Sequence, residues 1–324
     1  MTVVVLGIDA LDPELVDPEA HPNLTLAAHR SIETIDSAAG EPSTHELWPT
    51  IITGLRPKDH GLTLKNDGVA WGNPLLESAS MLADYLLPDT VQARIGAWLL
   101  TNTGADAFRT PATYYAENNI KTLFDGQEAT AIGIPNYVVD PDSEDREHNL
   151  RRSLGDLFER DPDTTGGHSS ADPYEFYEQC LEMVMVRIAR ARRAVRSGRH
   201  ELVFAYTSGL DLIGHVTYDL STLQRSAYDE LDEFVGDLRK DLDDGDVLLL
   251  VSDHGLQKGV HTHEAMVAGT NKEMIAGIDS VLDIRAVIEA ELRAQDHMKD
   301  SEKRSFTEAG GTEVKKHLED LGYM

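Results

Sequence analysis

A histidine-rich stretch, LLLVSDHGLQKGVHTH, occupies residues 248–263 of this 324-residue sequence. An uninterrupted apolar run leads directly into Asp253 and His254, and His261 and His263 follow shortly after. A buried strand gains no evident packing energy by ending on a carboxylate beside several imidazoles. Carboxylates and imidazoles are, however, common ligands of divalent metal ions. The stretch therefore indicates a metal site at the end of a strand.

Two other apolar runs also lead to aspartates. TVVVLGI at 2–8 runs into Asp9, and ELVFAY at 201–206 leads through a short turn to Asp211, with His215 four residues later. Because the carboxyl ends of parallel strands lie along one edge of a sheet, these side chains are expected to converge on one cleft. Converging carboxylates repel one another unless cations are present, and mixed Asp and His ligands favour zinc or manganese over calcium or magnesium.

Each of these residues also has a purely structural interpretation. Asp9 is placed to cap a helix that begins near Pro13. Asp211 with His215 fits an exposed surface pair, and an Asp-His-Gly sequence after a strand is typical of an ordinary turn. The placement of all three aspartates after apolar runs is what favours a metal site.

A candidate nucleophile lies in the segment STHELWPTIITGLRPKDHGL, residues 43–62. Thr44 comes just before a predicted short helix whose apolar residues include Leu47 and Ile51. A hydroxyl at a helix N-terminus faces free backbone amides, which also suit a phosphate group. The alternative is that Thr44 or Ser43 simply caps the helix.

The elements that must position these residues alternate between strands and helices. Strands are predicted at 2–8, 31–36, 129–134, 201–206 and 246–252, and helices at 172–195, 221–242, 280–292 and 312–321. The most apolar strands lack polar alternation, as expected of a sheet that is covered on both faces. The pattern predicts an α/β fold with a mostly parallel central sheet sandwiched by helices.

The chain is expected to form a single α/β domain over residues 1–324. The stretch from about 138 to 172 is polar and rich in Asp, Gly and Pro, which is typical of a loop or lid over a site. The predicted helix at 312–321 is expected to dock as the C-terminal element. With one cysteine, Cys180, neither an intramolecular disulfide nor a thiolate metal cluster is expected.

The composition is strongly acidic, with 57 acidic residues against 29 basic ones and a formal net charge of −28. A field of this sign repels nucleic-acid phosphates and anionic membranes, so nucleic-acid binding through a basic patch is not expected. Acidic residues spread along a well-patterned chain are typical of proteins adapted to a salty cytosol, where salt screens self-repulsion. The sequence predicts a soluble, cytoplasmic protein of a haloarchaeon, with an acidic mesophilic protein as the alternative.

Four blocks in a fixed order make the sequence resemble the alkaline phosphatase superfamily, and most closely its type I phosphodiesterase/nucleotide pyrophosphatase branch. They are GIDALD at 7–12, T-x8-TG-x2-P-x2-HG at 44–61, D-x2-GH at 211–215, and SDHG at 252–255 with a histidine shortly after. The resemblance implies an alkaline phosphatase-like fold and two divalent metal ions, zinc first and manganese as the alternative. One departure is Leu47, which stands where nucleotide pyrophosphatases carry an asparagine that helps bind the phosphoryl group.

The resemblance also implies roles for the residues of the first metal site. Asp9, Asp253 and His254 would bind one ion, and Thr44 would be both its fourth ligand and the nucleophile. If a Thr44→Ala variant kept wild-type activity, the nucleophile would be Ser43 or another residue.

By the same resemblance, three further residues of this sequence would bind the second ion. They are Asp211, His215 and a downstream histidine. We favour His261 because HTHEAMV resembles the H-T-x-x-x-V run of related metal-dependent phosphomutases, and His263 is the alternative.

The implied activity is a metal-dependent phosphodiesterase or phosphatase that acts on a small-molecule phosphoester. Two alternatives accompany it. A phosphomutase of the same superfamily would return the phosphoryl group to the substrate, and a non-catalytic protein would bind metal or a phosphoanion on the same scaffold.

Overall fold

The computed structural model describes residues 1–37, 40–63, 110–139, 154, 157–161, 164–165 and 167–295. The predicted C-terminal helix at 312–321 and much of the predicted lid near 138–172 lie outside the described residues. The single domain over 1–324 therefore stays a prediction.

The described strands, in chain order, are β1 (Val3–Ile8), β2 (Ala28–Glu33), β3 (Ala129–Ile132), β4 (Glu159–Arg160), β5 (His168–Ser169), β6 (Leu202–Thr207), β7 (Val247–Val251), β8 (Gly255–Gln257), β9 (Val260–Thr262) and β10 (Glu264–Gly269). The described helices are α1 (Pro22–Thr25), α2 (Thr44–Thr53), α3 (Pro57–His60), α4 (Thr113–Glu117), α5 (Pro173–Arg196), α6 (Gly209–Thr217), α7 (Ser221–Arg239), α8 (Lys272–Ala276) and α9 (284–295). Within these residues, no helix combines the length and apolar character needed to cross a membrane.

A six-stranded sheet has the order β2-β10-β7-β1-β6-β3. β3, β6, β1 and β7 run parallel, whereas β10 is antiparallel to both of its neighbours, β7 and β2. The prediction of an α/β fold with a mostly parallel sheet between helices is confirmed. The carboxyl ends of β1, β6 and β7 lie side by side at one edge, as the sequence led us to expect.

The central strands are apolar on both faces because each face has its own core. Along β1, Val4 and Leu6 belong to a core formed with α5, α6 and α7. Val3 and Val5 point the other way, into a core formed with α2, α8 and α9. Successive side chains of a strand alternate between faces, so a strand between two cores must be apolar throughout.

The predicted boundaries differ from the observed ones by a few residues. β2 begins at Ala28 because it pairs with β10 in a register that the sequence alone does not reveal. β3 ends at Ile132, where Gly133, with a φ of 68°, turns the chain out of the extended conformation. α9 begins only at 284, since Asp283 accepts hydrogen bonds from the backbone amides of Asp279 and Ser280 in the preceding turn.

Candidate active site and metal centre

Three of the expected ligands lie at the ends of β1 and β7 and form what we call the inner half of the site: Asp9, Asp253 and His254. Their side chains are almost completely buried, with exposures of 1%, 0% and 0%. His254 Nε2 lies 3.3 Å from Asp9 Oδ1 and 3.4 Å from Asp253 Oδ2. Residues 9–17 contain no helix, so Asp9 is not the helix cap that the structural interpretation allowed.

The outer half of the site consists of Asp211, His215 and His261. The first two lie one turn apart on α6, and His261 comes from β9 of the β8–β9 hairpin. Asp211 Oδ1 lies 3.3 Å from the Nε2 atoms of both histidines, and these two nitrogens are 3.0 Å apart. The three side chains are 14%, 13% and 20% exposed, so this half is more open than the inner half.

Backbone carbonyls orient the three imidazoles. The Nδ1 atoms of His254, His215 and His261 lie 3.1, 2.9 and 2.8 Å from the carbonyl oxygens of Gly255, Gly259 and Pro42, respectively. A carbonyl oxygen only accepts, so we assign the proton of each neutral ring to Nδ1. When the ring is neutral, its Nε2 keeps a lone pair beside the carboxylates, which is the arrangement of histidines that bind metal.

The Thr44 hydroxyl meets the inner half. Its Oγ1 lies 3.2 Å from both Asp9 Oδ1 and His254 Nε2. Thr44 is the first residue of α2, and Ser43 makes no side-chain capping bond there. The structure therefore brings Thr44, not Ser43, into contact with the ligand cluster.

His263 lies away from the cluster. Its side chain is 61% exposed, and its Nε2 pairs with Asp36 Oδ1 at 2.5 Å. Positions two apart in a straight strand point to the same face, so the side chains of His261 and His263 diverge because the chain bends at His263, between the end of β9 and the start of β10. Of the two histidines, the structure places His261 beside Asp211.

The electrostatics of the inner half are unfavourable without a cation. Burial, and then the neighbouring charge of Asp9, hold the pKa of Asp253 well above its usual range. Burial and the charge of Asp211 raise the pKa of Asp9 to about 7. Burial also lowers the pKa of His254 to about 3, so this imidazole stays neutral and offers no compensating charge.

The outer half is internally compensated. Burial opposes ionisation of Asp211, but His215 and His261 outweigh it and hold the pKa of Asp211 well below its usual range. Burial likewise opposes the charge on His261, and the hydrogen bond and charge of Asp211 overcome it and raise the pKa of His261 to about 9. In the outer half, a proton on His261 therefore balances the charge of Asp211, whereas His254 in the inner half carries no such charge.

The donor set fits divalent metal ions. Both carboxylate oxygens of Asp253 and Oδ1 of Asp211 are buried, and in the described part of the chain none of them has a hydrogen bond of good geometry, although imidazole nitrogens lie near them. Buried charges of this kind are normally paired or coordinate a metal ion. The side chains form two groups, and within each group the potential ligand atoms all lie within 4.8 Å of one another. One group is Asp211, His215 and His261, and the other is Asp9, Asp211 and His254. Asp211 belongs to both groups, which the sequence did not suggest.

Sequence reasoning missed several contributors to the site. The carbonyls of Pro42, Gly255 and Gly259 left no sequence signal, because every residue has a carbonyl. Tyr206 donates a hydrogen bond to Asp9 Oδ2 at 2.5 Å, and its position at the end of a buried strand was the available clue. His168 packs its ring against His215, with ring centroids 5.2 Å apart.

A model of the family described as type I phosphodiesterase / nucleotide pyrophosphatase matches residues 3–321. The chain belongs to this family. Membership in the type I phosphodiesterase family supports a phosphoryl-transfer hydrolase that acts on a small phosphoester, and it implies divalent metal ions. No curated protein sequence matches significantly.

Solved structures with a similar arrangement are distant from this phosphodiesterase family member. The PH0037 protein from Pyrococcus horikoshii is 13% identical, with 90% of this chain and 96% of that chain covered and a TM-score of 0.45. Murine ectonucleotide pyrophosphatase / phosphodiesterase 5 is 16% identical, with 79% and 57% covered and a TM-score of 0.40. Phosphonoacetate hydrolase from Sinorhizobium meliloti is 14% identical, with 79% and 56% covered and a TM-score of 0.41. Similarity at this level does not extend to substrate.

Proposed function

We propose that this family member is a two-metal phosphoester hydrolase in which Thr44 is the nucleophile. The observation that carries the proposal is the position of Thr44 Oγ1, 3.2 Å from both Asp9 Oδ1 and His254 Nε2. Both neighbouring atoms are expected ligands of the inner ion, so the hydroxyl lies beside the groups that would hold that ion. A threonine at the start of a helix also has free backbone amides beside it for the phosphate oxygens.

Two divalent ions, zinc first and manganese as the alternative, would be held by the inner and outer halves. Ions bound there would lower the pKa of a coordinated hydroxyl and neutralise the charge that develops on the attacking and leaving oxygens. Asp253 would contribute to the inner ion, because both of its oxygens are buried and no described residue hydrogen-bonds to them with good geometry. His261 is the histidine that we assign to the outer ion, since it lies 3.3 Å from Asp211 whereas His263 is exposed.

The reaction would proceed by two in-line displacements. The Thr44 hydroxyl would release its proton to solvent, and Oγ1 would form a bond to phosphorus while the bond from phosphorus to the leaving oxygen breaks and the leaving oxygen takes up a proton from water. Water then attacks phosphorus and releases the Thr44 oxygen, which regains a proton. Each displacement inverts phosphorus, so the overall reaction retains configuration.

Leu47 bears on the substrate. At the position where the resemblance leads us to expect a phosphate-binding asparagine, Leu47 is 1% exposed and packs in the core beneath α2. An amide is thus missing at this point of the phosphate site, which argues against a substrate that depends on it. We therefore propose a phosphoester hydrolase without a specific preference for nucleotides.

Thr44→Ala tests the nucleophile, with Thr44→Ser as the matched control that keeps a hydroxyl. Metal content would be measured first, and then the hydrolysis of nitrophenyl phosphate monoester, diester and sulfate at low and high salt. We expect two divalent ions per wild-type chain and a loss of about 10³-fold or more in kcat for Thr44→Ala, which is the scale for removing a nucleophile.

Thr44→Ser should keep measurable activity, and acid quenching of the wild-type reaction should trap a phosphate on Thr44. Undiminished turnover by Thr44→Ala would assign the nucleophile elsewhere, with Ser43 the first residue to examine. Metal binding without turnover of any phosphoester would instead favour the non-catalytic alternative.

A further inference from the structure

Tyr206 lies on the same face of the sheet as Asp9. In the parallel register of β1 and β6, Gly7 pairs with Tyr206, and Asp9 follows two positions after Gly7. Because strand positions two apart point to the same face, the phenol ring and the carboxylate project side by side. The missing side chain at Gly7 makes room for the Trp48 indole.

The phenol group holds one of the two oxygens of Asp9. Tyr206 Oη donates a hydrogen bond to Asp9 Oδ2 at 2.5 Å, within a site where the tyrosine is 5% exposed. The other oxygen, Oδ1, faces Thr44 Oγ1 at 3.2 Å and His254 Nε2 at 3.3 Å. The two oxygens of this carboxylate therefore have different tasks.

A buried indole fixes the phenol ring. Trp48 lies edge-on to Tyr206, with ring centroids 4.9 Å apart and an interplanar angle of 68°. Trp48 is 0% exposed, and it fills the space beside Gly7, where an added Cβ would lie 2.5 Å from Trp48 Cη2. Since Trp48 lies one turn after Thr44 on α2, the same indole anchors both the nucleophile helix and the ring that holds Asp9.

We propose that Tyr206 is a positioning residue that binds Asp9 Oδ2 and so leaves Oδ1 as the atom directed at Thr44 and at the inner metal ion. The inference rests on the proposed two-metal function. Asp253 provides the contrast, because no donor among the described residues forms a hydrogen bond of good geometry to either of its oxygens. Asp9 is thus prepared to offer one oxygen, whereas Asp253 can offer either or both.

Tyr206→Phe removes the hydrogen bond and keeps the ring that packs on Trp48. Tyr115→Phe is the matched control, because Tyr115 is 1% exposed and donates from an equally buried phenol to the carbonyl oxygen of Asn136 at 2.7 Å. Co²⁺ would be titrated into each metal-free protein, and its visible spectrum would report ligand geometry. Groups that orient a metal ligand typically contribute 10- to 100-fold to affinity or activity.

We expect Tyr206→Phe to bind one Co²⁺ about 10- to 100-fold more weakly and to change the Co²⁺ spectrum, with kcat falling more than KM changes. Tyr115→Phe should match the wild type in all three measurements. A purely structural role would lower stability in both variants and leave the spectrum of the bound Co²⁺ unchanged.

A Tyr206→Phe protein with wild-type affinity and spectrum would overturn the inference and leave the two-metal function standing. Failure of the wild type to bind Co²⁺ would overturn the proposed function, and the inference with it. The two failures are distinguishable because the wild type binds Co²⁺ in the first case and does not bind it in the second.

Discussion

The inner and outer halves of the site bring together the same residue types by different means. Asp9, Asp253 and His254 follow two central strands directly, and their side chains are at most 1% exposed. The outer half is carried by a helix and a hairpin, and its side chains are 13% to 20% exposed. Packing on both faces of the sheet fixes the inner half, whereas backbone carbonyls at Pro42 and Gly259 fix the outer half.

The difference appears most clearly in the two histidines that stack on each other. The rings of His254 and His261 are 3.9 Å apart between centroids, yet burial lowers the pKa of one to about 3 and Asp211 raises that of the other to about 9. Burial alone removes charge from an imidazole, and a paired carboxylate restores it. A cation is therefore needed more in the inner half, where two carboxylates face a neutral ring.

The largest expected effect separates His261 from His263. His261→Ala should lower kcat/KM by about 10²- to 10³-fold, because it removes a proposed ligand and the contact to Pro42 at the start of the nucleophile segment. His263→Ala is the matched control and should change kcat/KM less than about twofold, since an exposed ion pair contributes about 0–1 kcal/mol.

Steady-state kinetics with one nitrophenyl phosphoester, together with metal content, would decide this comparison. Equal losses in the two variants would contradict the assignment of His261. A larger loss for His263→Ala would transfer the ligand role to that residue and would require the hairpin to rearrange when metal binds.

The sequence predicted the inner half better than the outer half for a physical reason. An apolar run followed by Asp253 and His254 fixes both the strand and the point where it ends, so the ligand positions follow. His261 depends on a two-residue turn at Lys258 and Gly259, whose φ values of 52° and 77° give the tight hairpin its form. Lysine gives little indication of a positive φ, and the hairpin was therefore not predicted.

Tyr206 shows a second limit of the sequence. An aromatic residue at the end of a buried strand is usually part of the core, and its ring does pack on Trp48. Its hydroxyl acquires a role only through the register of β6 against β1, which places it beside Asp9. Pairing register depends on the whole sheet, so no local pattern could have specified this contact.

His60 tests whether burial lowers a histidine pKa, which we infer to be the largest cause at His254. Its ring is 1% exposed; Nδ1 accepts from the amide of Leu62, and Nε2 lies 3.2 Å from Thr50 Oγ1. Burial lowers its pKa from 6.5 to about 4. The neutral ring therefore contributes stability above pH 6.5, and this contribution is lost as the pH falls from 6.5 through 4.

His60→Gln keeps a polar side chain at this position and does not titrate. Between pH 7 and pH 4, the wild type should lose up to about 3 kcal/mol more unfolding free energy than the variant, because each unit of pKa shift corresponds to about 1.4 kcal/mol. Denaturant unfolding of metal-free protein at a series of pH values measures the difference. Parallel pH profiles would mean that His60 is not held neutral by burial.

The smallest expected effect is a difference in sign between the two halves, measured on metal-free protein at pH 8. Asp253→Asn should raise the free energy of unfolding by about 1–2 kcal/mol, because it removes a buried carboxyl group that faces Asp9 and that no described residue hydrogen-bonds with good geometry. Asp211→Asn should lower the free energy of unfolding by about 1 kcal/mol, because His215 and His261 lose the carboxylate they share.

In the presence of Zn²⁺ the wild type should gain more stability than either variant, since only the wild type retains the full ligand set. Changes of the same sign in the metal-free variants would show that the inner half is not kept under electrostatic strain for a cation, and the contrast between the two halves would then be one of exposure alone.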